Sequence, residues 1–224
     1  MSNLIVQISE CVENGKINLG SPYPPQMKGQ PGADELTRQA LDEGISPDDI
    51  LNKALVPAMD RVGQKYTEKK IFVPQMLLSA KAMSVSMEHL KPYFQSGEVK
   101  RKGVMIMGTV TGDLHDIGKN LCRIMVEGAG WEVIDLGVDV KPEQFVGALD
   151  LHPGAIIGLS ALLTTTMVNM STIISTVRKK YSDAKVIVGG APVNSDFAKS
   201  INADGYGKDP QELITWLNSQ SVGK

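Results

Sequence analysis

The hydrophobic period of this chain changes once, near residue 100, and this change limits the possible folds more than any other feature. Upstream, apolar residues recur at helical spacing, and no segment alternates as a half-buried strand does. Downstream, short apolar runs bounded by glycine alternate with stretches of helical spacing. The polar stretch 96–103 separates the two patterns. We therefore predict a helical domain at 1–97, a linker at 98–102 and a second domain at 103–224.

The first half predicts four helices with short connections, which favours an antiparallel bundle. The first helix ends at Gly15, and Ser46-Pro47 is a strong start for the third, with a kink expected at Pro57. The segment 20–32 contains four prolines and is predicted to be an extended connection, whose role is open. The helices are predicted at about 4–14, 34–44 and 46–69 and from Pro74 onwards.

The second half predicts repeated strand–helix units. Continuous runs of β-branched residues indicate strands buried on both faces, and such units form a parallel sheet with right-handed crossovers. We expect an α/β domain of the flavodoxin-like type, with strand order 2-1-3-4-5 and ligands bound at the carboxyl ends of strands 1 and 3. The strands are predicted at 103–110, 131–138, 155–162, 185–192 and 203–207.

Composition narrows the class of protein. The 224 residues carry a net charge of −2, from 23 basic and 25 acidic side chains, which argues against nucleic acid as a partner. No apolar run reaches the length of about 18 residues that a membrane span requires. Cys11 and Cys122 are far apart in helical segments, so we expect no disulfide. The first residues do not resemble a signal peptide, which predicts the cytoplasm.

The loops expected at the carboxyl ends of the strands hold the most unusual residues. Asp113-Leu114-His115-Asp116 follows strand 1, and Gly118 enters the next helix. An imidazole that binds a metal needs its second nitrogen fixed, and Asp113 is placed to do this. The alternative is that His115 lies at the start of a helix and binds no ligand. Four hydroxyl residues follow strand 3 within 160–166, and Gly189-Gly190 follows strand 4.

A zinc site is the obvious competitor. The chain has three histidines, and His89 and His152 lie in the other domain and at the opposite edge of the sheet. Three or four protein ligands cannot be assembled from these residues. A cofactor that brings most of its own metal ligands needs only one from the protein.

The pattern Asp113-x-His115-x-x-Gly118, followed by Ser160-x-Leu162 and Gly189-Gly190, resembles the cobalamin-binding module of cobalamin-dependent methionine synthase and of corrinoid proteins in anaerobic methyltransferase systems. The resemblance covers about residues 33–220 and includes Val73-Pro74-Gln75-Met76 in the helical half, which would be a cap over the cofactor.

The resemblance implies roles for individual residues. His115 would be the lower axial ligand of cobalt in base-off cobalamin, Asp113 would bond the far side of its imidazole, and Thr166 would extend that relay. Asp116 would be a further cofactor contact. The cleft for the displaced nucleotide tail would be lined by Gly118, Ser160, Leu162, Thr164, Gly189 and Gly190. In the cap, Phe72, Met76 and Met83 would contact the reactive face, with ordinary bundle core as the alternative.

The resemblance also implies the function. Such a protein accepts a methyl group on cobalt from a substrate-specific methyltransferase and passes it to a second one, whose acceptor is tetrahydrofolate or a thiol. It is not an enzyme by itself and implies a reductive activator protein as a further partner. The donor stays open among methyl ethers, methylamines, methanol and betaines, with the first two favoured. The alternatives are a cobalamin-binding sensor, the small subunit of an adenosylcobalamin mutase, and a flavodoxin-like domain without corrinoid.

Overall fold

The computed structural model describes residues 3–97 and 99–221. The chain divides into two compact units, one formed by residues up to 101 with 128–130, and one formed by 102–127 and the residues from 131 onwards. Glu98, in the predicted linker, lies outside the described residues, so the domain boundaries at 97 and 103 stay a prediction.

The first unit is helical, as predicted. The first helix, α1, is packed against α2, α4 and α5, and Ile8, Val12 and Leu55 are completely buried in the resulting core. Ile8 and Val12 are four residues apart and therefore lie on one face of α1, and their burial stabilises a helix too short to be stable alone. The helices are α1 (Asn3–Asn14), α2 (Ala33–Asp42), α3 (Pro47–Asp49), α4 (Val56–Thr67) and α5 (Val73–Gln95).

Two proline positions differ in detail from the prediction. The perturbation expected at Pro57 takes the form of a π-helical segment, Ile50–Leu55, in which the Val56 N–H donates to Leu51 O. A widened turn accommodates Pro57 because this residue has no N–H to donate and its ring would collide with the carbonyl four residues back. The predicted extended connection 20–32 contains one 3₁₀ turn, Pro25–Met27, where that prediction was wrong, since proline at the first position presets the helical φ.

The second unit contains the predicted five-stranded parallel sheet, with the order β2-β1-β3-β4-β5. The first four strands begin one residue later and end at least one residue earlier than predicted, because the last residues of their apolar runs leave the sheet and form the loops at its edge. The fifth strand begins two residues later than predicted. The strands are β1 (Val104–Thr109), β2 (Glu132–Asp135), β3 (Ile156–Ser160), β4 (Val186–Gly189) and β5 (Gly205–Gly207). The helices are α6 (Ile117–Gly128), α7 (Pro142–Leu151), α8 (Thr164–Met167), α9 (Asn169–Lys180), α10 (Ser195–Ser200) and α11 (Pro210–Ser221).

The register of the sheet aligns the loops that follow the central strands. Thr109 is paired with Ser160, and Ser160 with Gly189, so β1, β3 and β4 end at the same level. Below this level, Ile106, Ile157 and Val188 belong to a buried apolar core shared with α7 and α9. The packed core therefore holds three loops side by side at one edge of the sheet.

None of the helices in the described ranges is long and apolar enough to span a membrane. Cys11 and Cys122 are both free thiols.

Candidate functional site

Asp113 lies at the centre of the three loops. Its side chain is completely buried, and its carboxylate accepts five hydrogen bonds. Oδ2 accepts from the Thr166 hydroxyl at 2.6 Å and from the Leu162 N–H at 2.8 Å, with the Leu163 N–H further away at 3.4 Å. Oδ1 faces His115. Three backbone N–H groups, a hydroxyl and an imidazole nitrogen thus compensate the cost of burying this charge.

The hydrogen bonds keep Asp113 ionised. Burial by itself raises the pKa of this carboxyl, but the bonds from the Thr166 hydroxyl, the Leu162 N–H, and the backbone N–H and Nδ1 of His115 outweigh it and hold the pKa well below its usual range. An ionised carboxylate has no proton to donate, so every contact that it makes is as an acceptor.

This fixes the arrangement of the His115 ring. Nδ1 lies 2.8 Å from Asp113 Oδ1 and must donate its hydrogen to that oxygen. In the neutral ring the lone pair is then on Nε2. The side chain is 51% exposed, and within the described ranges no protein group is hydrogen-bonded to Nε2. The site therefore presents one oriented imidazole nitrogen to the outside.

The backbone of His115 is held as well. Its N–H donates to Asp113 Oδ1 at 3.1 Å, and its carbonyl accepts from the Thr109 hydroxyl at 2.9 Å. Thr109 is completely buried at the end of β1. The last residue of a rigid strand thus anchors the carbonyl of the residue that presents the imidazole.

The predicted loop residues lie at this edge of the sheet. Gly190 has a φ of +124°, and a Cβ there would lie 1.9 Å from the Ala161 carbonyl oxygen, so only glycine fits. Gly118 has open space where a Cβ would lie. Thr164 is exposed at the start of α8, and the Leu162 side chain is exposed by 45%. Ser160 and Gly189 end their strands as register partners.

Asp116 has a local partner. Its Oδ2 accepts from the Asn120 side-chain amide at 3.0 Å, across the first turn of α6. Such a contact is common at the start of a helix and needs no ligand. A contact between Asp116 and the cofactor therefore stays a prediction.

The predicted residues of the helical unit differ in exposure. Met76 and Met83 are exposed by 0% and 3%, which fits the alternative of bundle core, whereas Phe72 is 64% exposed just before α5. A contact between these side chains and a cofactor stays a prediction.

Large apolar side chains are exposed on the segments that follow β1, β2 and β3, and the sequence analysis missed most of them; we call this set the apolar rim. Large apolar side chains at exposed positions are unusual in polar loops, and for Leu114 and Ile117 a signal was available, because both lie within two residues of His115 in the sequence. The rim residues lie in loops or at the start of α6, on segments that are hydrogen-bonded to Asp113 or its neighbours, and together with Leu162 they are Leu114, Ile117, Val138, Leu163 and Val168.

The donor set agrees with a metal that arrives already ligated. The described residues contain no group of three or more His, Cys, Asp or Glu side chains that could hold a bare metal ion. One imidazole nitrogen amid an apolar rim suits a flat, largely apolar cofactor whose metal needs a single further ligand. Cobalamin fits this description.

Comparisons with known proteins give matches in both halves of the chain. Residues 103–214 match a family described as a B12 binding domain, and residues 30–91 match a second family of the same description. A corrinoid protein of Desulfitobacterium hafniense is 38% identical over 189 residues, which cover 82% of this chain and 88% of that protein. Monomethylamine corrinoid protein 2 of Methanosarcina acetivorans is 40% identical over 187 residues, 81% of this chain and 86% of that protein.

Among solved structures, the methanol:cobalamin methyltransferase complex of Methanosarcina barkeri includes a similar chain, with a TM-score of 0.78 and 27% identity over 100% of this chain and 81% of that chain. The fold, the site and these matches define a cobalamin-binding protein. The chain belongs to the corrinoid proteins of methyltransferase systems, and its place there is that of a carrier subunit. This membership favours the carrier over the sensor and mutase alternatives.

Proposed function

We propose that His115 Nε2 binds the cobalt of cobalamin on the lower face of the corrin ring, in the base-off form, while the protein carries a methyl group between two methyltransferases. The observation that carries this proposal is the Nδ1–Asp113 contact of 2.8 Å, made by a buried carboxylate that stays ionised. Such a partner orients the ring and increases the basicity of the opposite nitrogen.

When bound, cobalamin supplies the cobalt centre that accepts and releases the methyl group. The protein orients the axial nitrogen. Asp113 keeps the hydrogen on Nδ1, because its carboxylate already accepts bonds from Thr166 and Leu162 and is stabilised as an anion. Thr166 is buried, and its hydroxyl donates to Oδ2 of the completely buried Asp113.

The apolar rim gives the second contribution. Leu114 and Ile117, within two residues of His115 in the chain, and Leu163, whose N–H donates to Asp113, are exposed, and the lower face of a corrin ring would cover them. Burial of these side chains favours binding by about 25 cal/mol for each Å² removed from water. It also excludes water from the axial nitrogen, so that cobalt is the better partner for Nε2.

We propose that the nucleotide tail binds at the ends of β3 and β4, where Ser160 and Gly189 are register partners and Gly190 packs closely against the Ala161 carbonyl. Leu162, Thr164 and Gly118 border the same edge of the sheet. Asp116, and Phe72, Met76 and Met83 of the helical unit, are kept as proposed cofactor contacts.

Relatives support the choice of partners. One solved relative is part of a methanol:cobalamin methyltransferase complex, and several others are named for methylamines. We infer that a substrate-specific methyltransferase loads this protein, and that a second methyltransferase and a reductive activator complete the system. The cytoplasm is the proposed location.

A spectroscopic titration with hydroxocobalamin tests the proposal. We compare the wild type with H115A and, as a matched control, H152A, because His152 follows α7 outside the three loops. The wild type and H152A should bind stoichiometrically with the spectrum of histidine-ligated, base-off cobalamin, and H115A should lose this spectrum. Identical spectra for the wild type and H115A would contradict the ligand assignment.

A further inference from the structure

Asp139 is an exposed residue in the turn after β2 that holds the backbone of the His115 loop at two points. Its Oδ1 accepts from the Gly112 N–H at 2.7 Å, and its own N–H donates to the Asp113 carbonyl at 3.0 Å. Asp139 is therefore hydrogen-bonded to the peptide units immediately before and after the Gly112–Asp113 peptide. None of the roles assigned above uses Asp139.

The backbone of Asp139 is itself unusual. Its φ is +51°, in the left-handed region that aspartate and asparagine tolerate better than most residues. Gly112, whose N–H donates to the Asp139 side chain, has a φ of +81°. Two turns in uncommon conformations thus meet through a pair of hydrogen bonds. A residue held in such a conformation at a functional site suggests that the surrounding contacts require it.

Residues of other segments also form hydrogen bonds to Thr111 in the same loop. The Thr111 hydroxyl donates to Val140 O at 2.7 Å, and the Asn169 side-chain amide donates to Thr111 O at 2.8 Å. The side chain of Asp113 is bound from the opposite direction by the loop after β3. The position of the Asp113 carboxylate is therefore set by its backbone on one side and by its acceptor contacts on the other.

The position of Asp113 determines that of His115, because both the backbone N–H and the Nδ1 of His115 are hydrogen-bonded to Asp113. A displacement of the Gly112–Asp113 peptide would move the carboxylate and turn the imidazole with it. We propose that Asp139 is a positioning residue for the axial ligand, acting through Gly112 and Asp113. This inference depends on the proposed function, in which His115 binds cobalt.

Three substitutions separate the contact from the conformation. D139N keeps an acceptor oxygen and tolerates the left-handed region, D139G keeps the conformation without the acceptor, and D139A loses both. D183A serves as the control, since Asp183 is exposed in the turn before β4. Each variant is titrated with hydroxocobalamin, and its thermal unfolding is followed without the cofactor.

The second readout reports the ligand itself. Protein containing ¹⁵N-labelled histidine is loaded with cob(II)alamin, and electron paramagnetic resonance gives the fraction of cobalt whose axial nitrogen is the labelled one. We expect D139N and D183A to match the wild type. D139G should bind about five-fold more weakly, D139A about ten-fold, and both should show a smaller histidine-bound fraction.

Wild-type affinity and an unchanged histidine-bound fraction in D139G would overturn the inference, as would a loss in D139N equal to that in D139A. The wild type and H115A, measured in the same series, distinguish a failure of the ligand assignment from a failure of the inference about Asp139. If the wild type shows no labelled nitrogen on cobalt, the ligand assignment and this inference both fall. If the wild type shows it and D139G is unaffected, only the inference falls.

Discussion

Asp113 shows how one buried carboxylate can organise a cofactor site. It accepts hydrogen bonds from His115 in its own loop and from the segment that follows β3, so both carboxylate oxygens have donors. Removing the charge while keeping the shape leaves those donors without a good partner, which costs more than the hydrogen bonds contribute net.

We predict that D113N lowers the free energy of unfolding of the second unit by about 2–4 kcal/mol, because an amide would direct N–H groups at the donors of Thr166 and Leu162. The chain has two tryptophans, Trp131 and Trp216, both in the second unit, so fluorescence in urea reports this unit. D196N, at an exposed position of α10, should change the stability by less than about 0.5 kcal/mol. An equally small effect of D113N would contradict the described network.

A second substitution tests the close approach at the end of β4. G190A forces a Cβ to within 1.9 Å of the Ala161 carbonyl oxygen, at a φ of +124°, so we expect a loss of at least about 3 kcal/mol. In contrast, Gly147 lies within α7 with open space around it, and G147A should stabilise by about 1 kcal/mol. Tryptophan fluorescence during thermal unfolding measures both. A G190A protein as stable as the wild type would show that the two loops do not approach so closely.

The sequence allowed the local part of the site to be predicted, but not the long-range part. Asp113 and His115 are two residues apart in one turn, so their pairing follows from spacing. Asp139 and Asn169 reach the same loop from positions 27 and 58 residues away, and no local pattern reports such contacts. The partnership of Thr166 with Asp113 was anticipated by resemblance and is present at 2.6 Å.

Among helices and strands, periodicity was the reliable guide, and the exceptions are at prolines. The alternation of apolar runs and helical stretches predicted the strand order, because repeated parallel units admit few topologies. The π-helical segment before Pro57 was not predictable as such, since the sequence shows the missing N–H but not how the helix adjusts.

One ion-pair cluster joins helices of the first unit and gives a prediction about pH. Glu13 of α1 accepts from Arg61 at 2.5 Å and from Lys65 at 2.6 Å, both on α4. Burial raises the pKa of Glu13, but the bonds from Lys65 and Arg61 lower it further than burial raises it. As the pH falls below the ordinary pKa of 4.5, Glu13 is therefore protonated more readily in the unfolded chain than in the folded protein.

We predict that E13Q destabilises the helical unit by about 1 kcal/mol near neutral pH, and that this difference shrinks as the pH falls below 4.5. The stabilising contribution is present above that pH and is lost through the lower pKa of the folded state. Urea unfolding followed by circular dichroism at several pH values measures it. A difference that is constant over this range would mean that the charge of Glu13 does not contribute.

For the chain as a whole, the two units explain why two hydrophobic periods occur in one sequence. The boundary is a prediction that proteolysis can test. Lys100, Arg101 and Lys102 lie in the polar stretch between the units, and all three are exposed. We expect trypsin to cleave there first and to give two fragments whose masses correspond to residues 1–102 and 103–224 or nearly so.

The variant K100Q/R101Q/K102Q should resist this first cleavage, whereas K69Q, in the turn after α4, should not. Early cleavage at many sites within either unit, with no pair of persistent fragments, would argue against the predicted boundary.

The central claim is that one histidine of this chain binds cobalt, and ¹⁵N labelling of histidine tests it most directly. With cob(II)alamin bound to unlabelled protein, one axial ¹⁴N nucleus splits the resonance lines into triplets. We predict that labelling all histidines converts the triplets into doublets, and that H115A removes the doublets while H152A keeps them. Triplets that persist in the labelled protein would show that the cofactor's own base stays on cobalt, and would contradict the account.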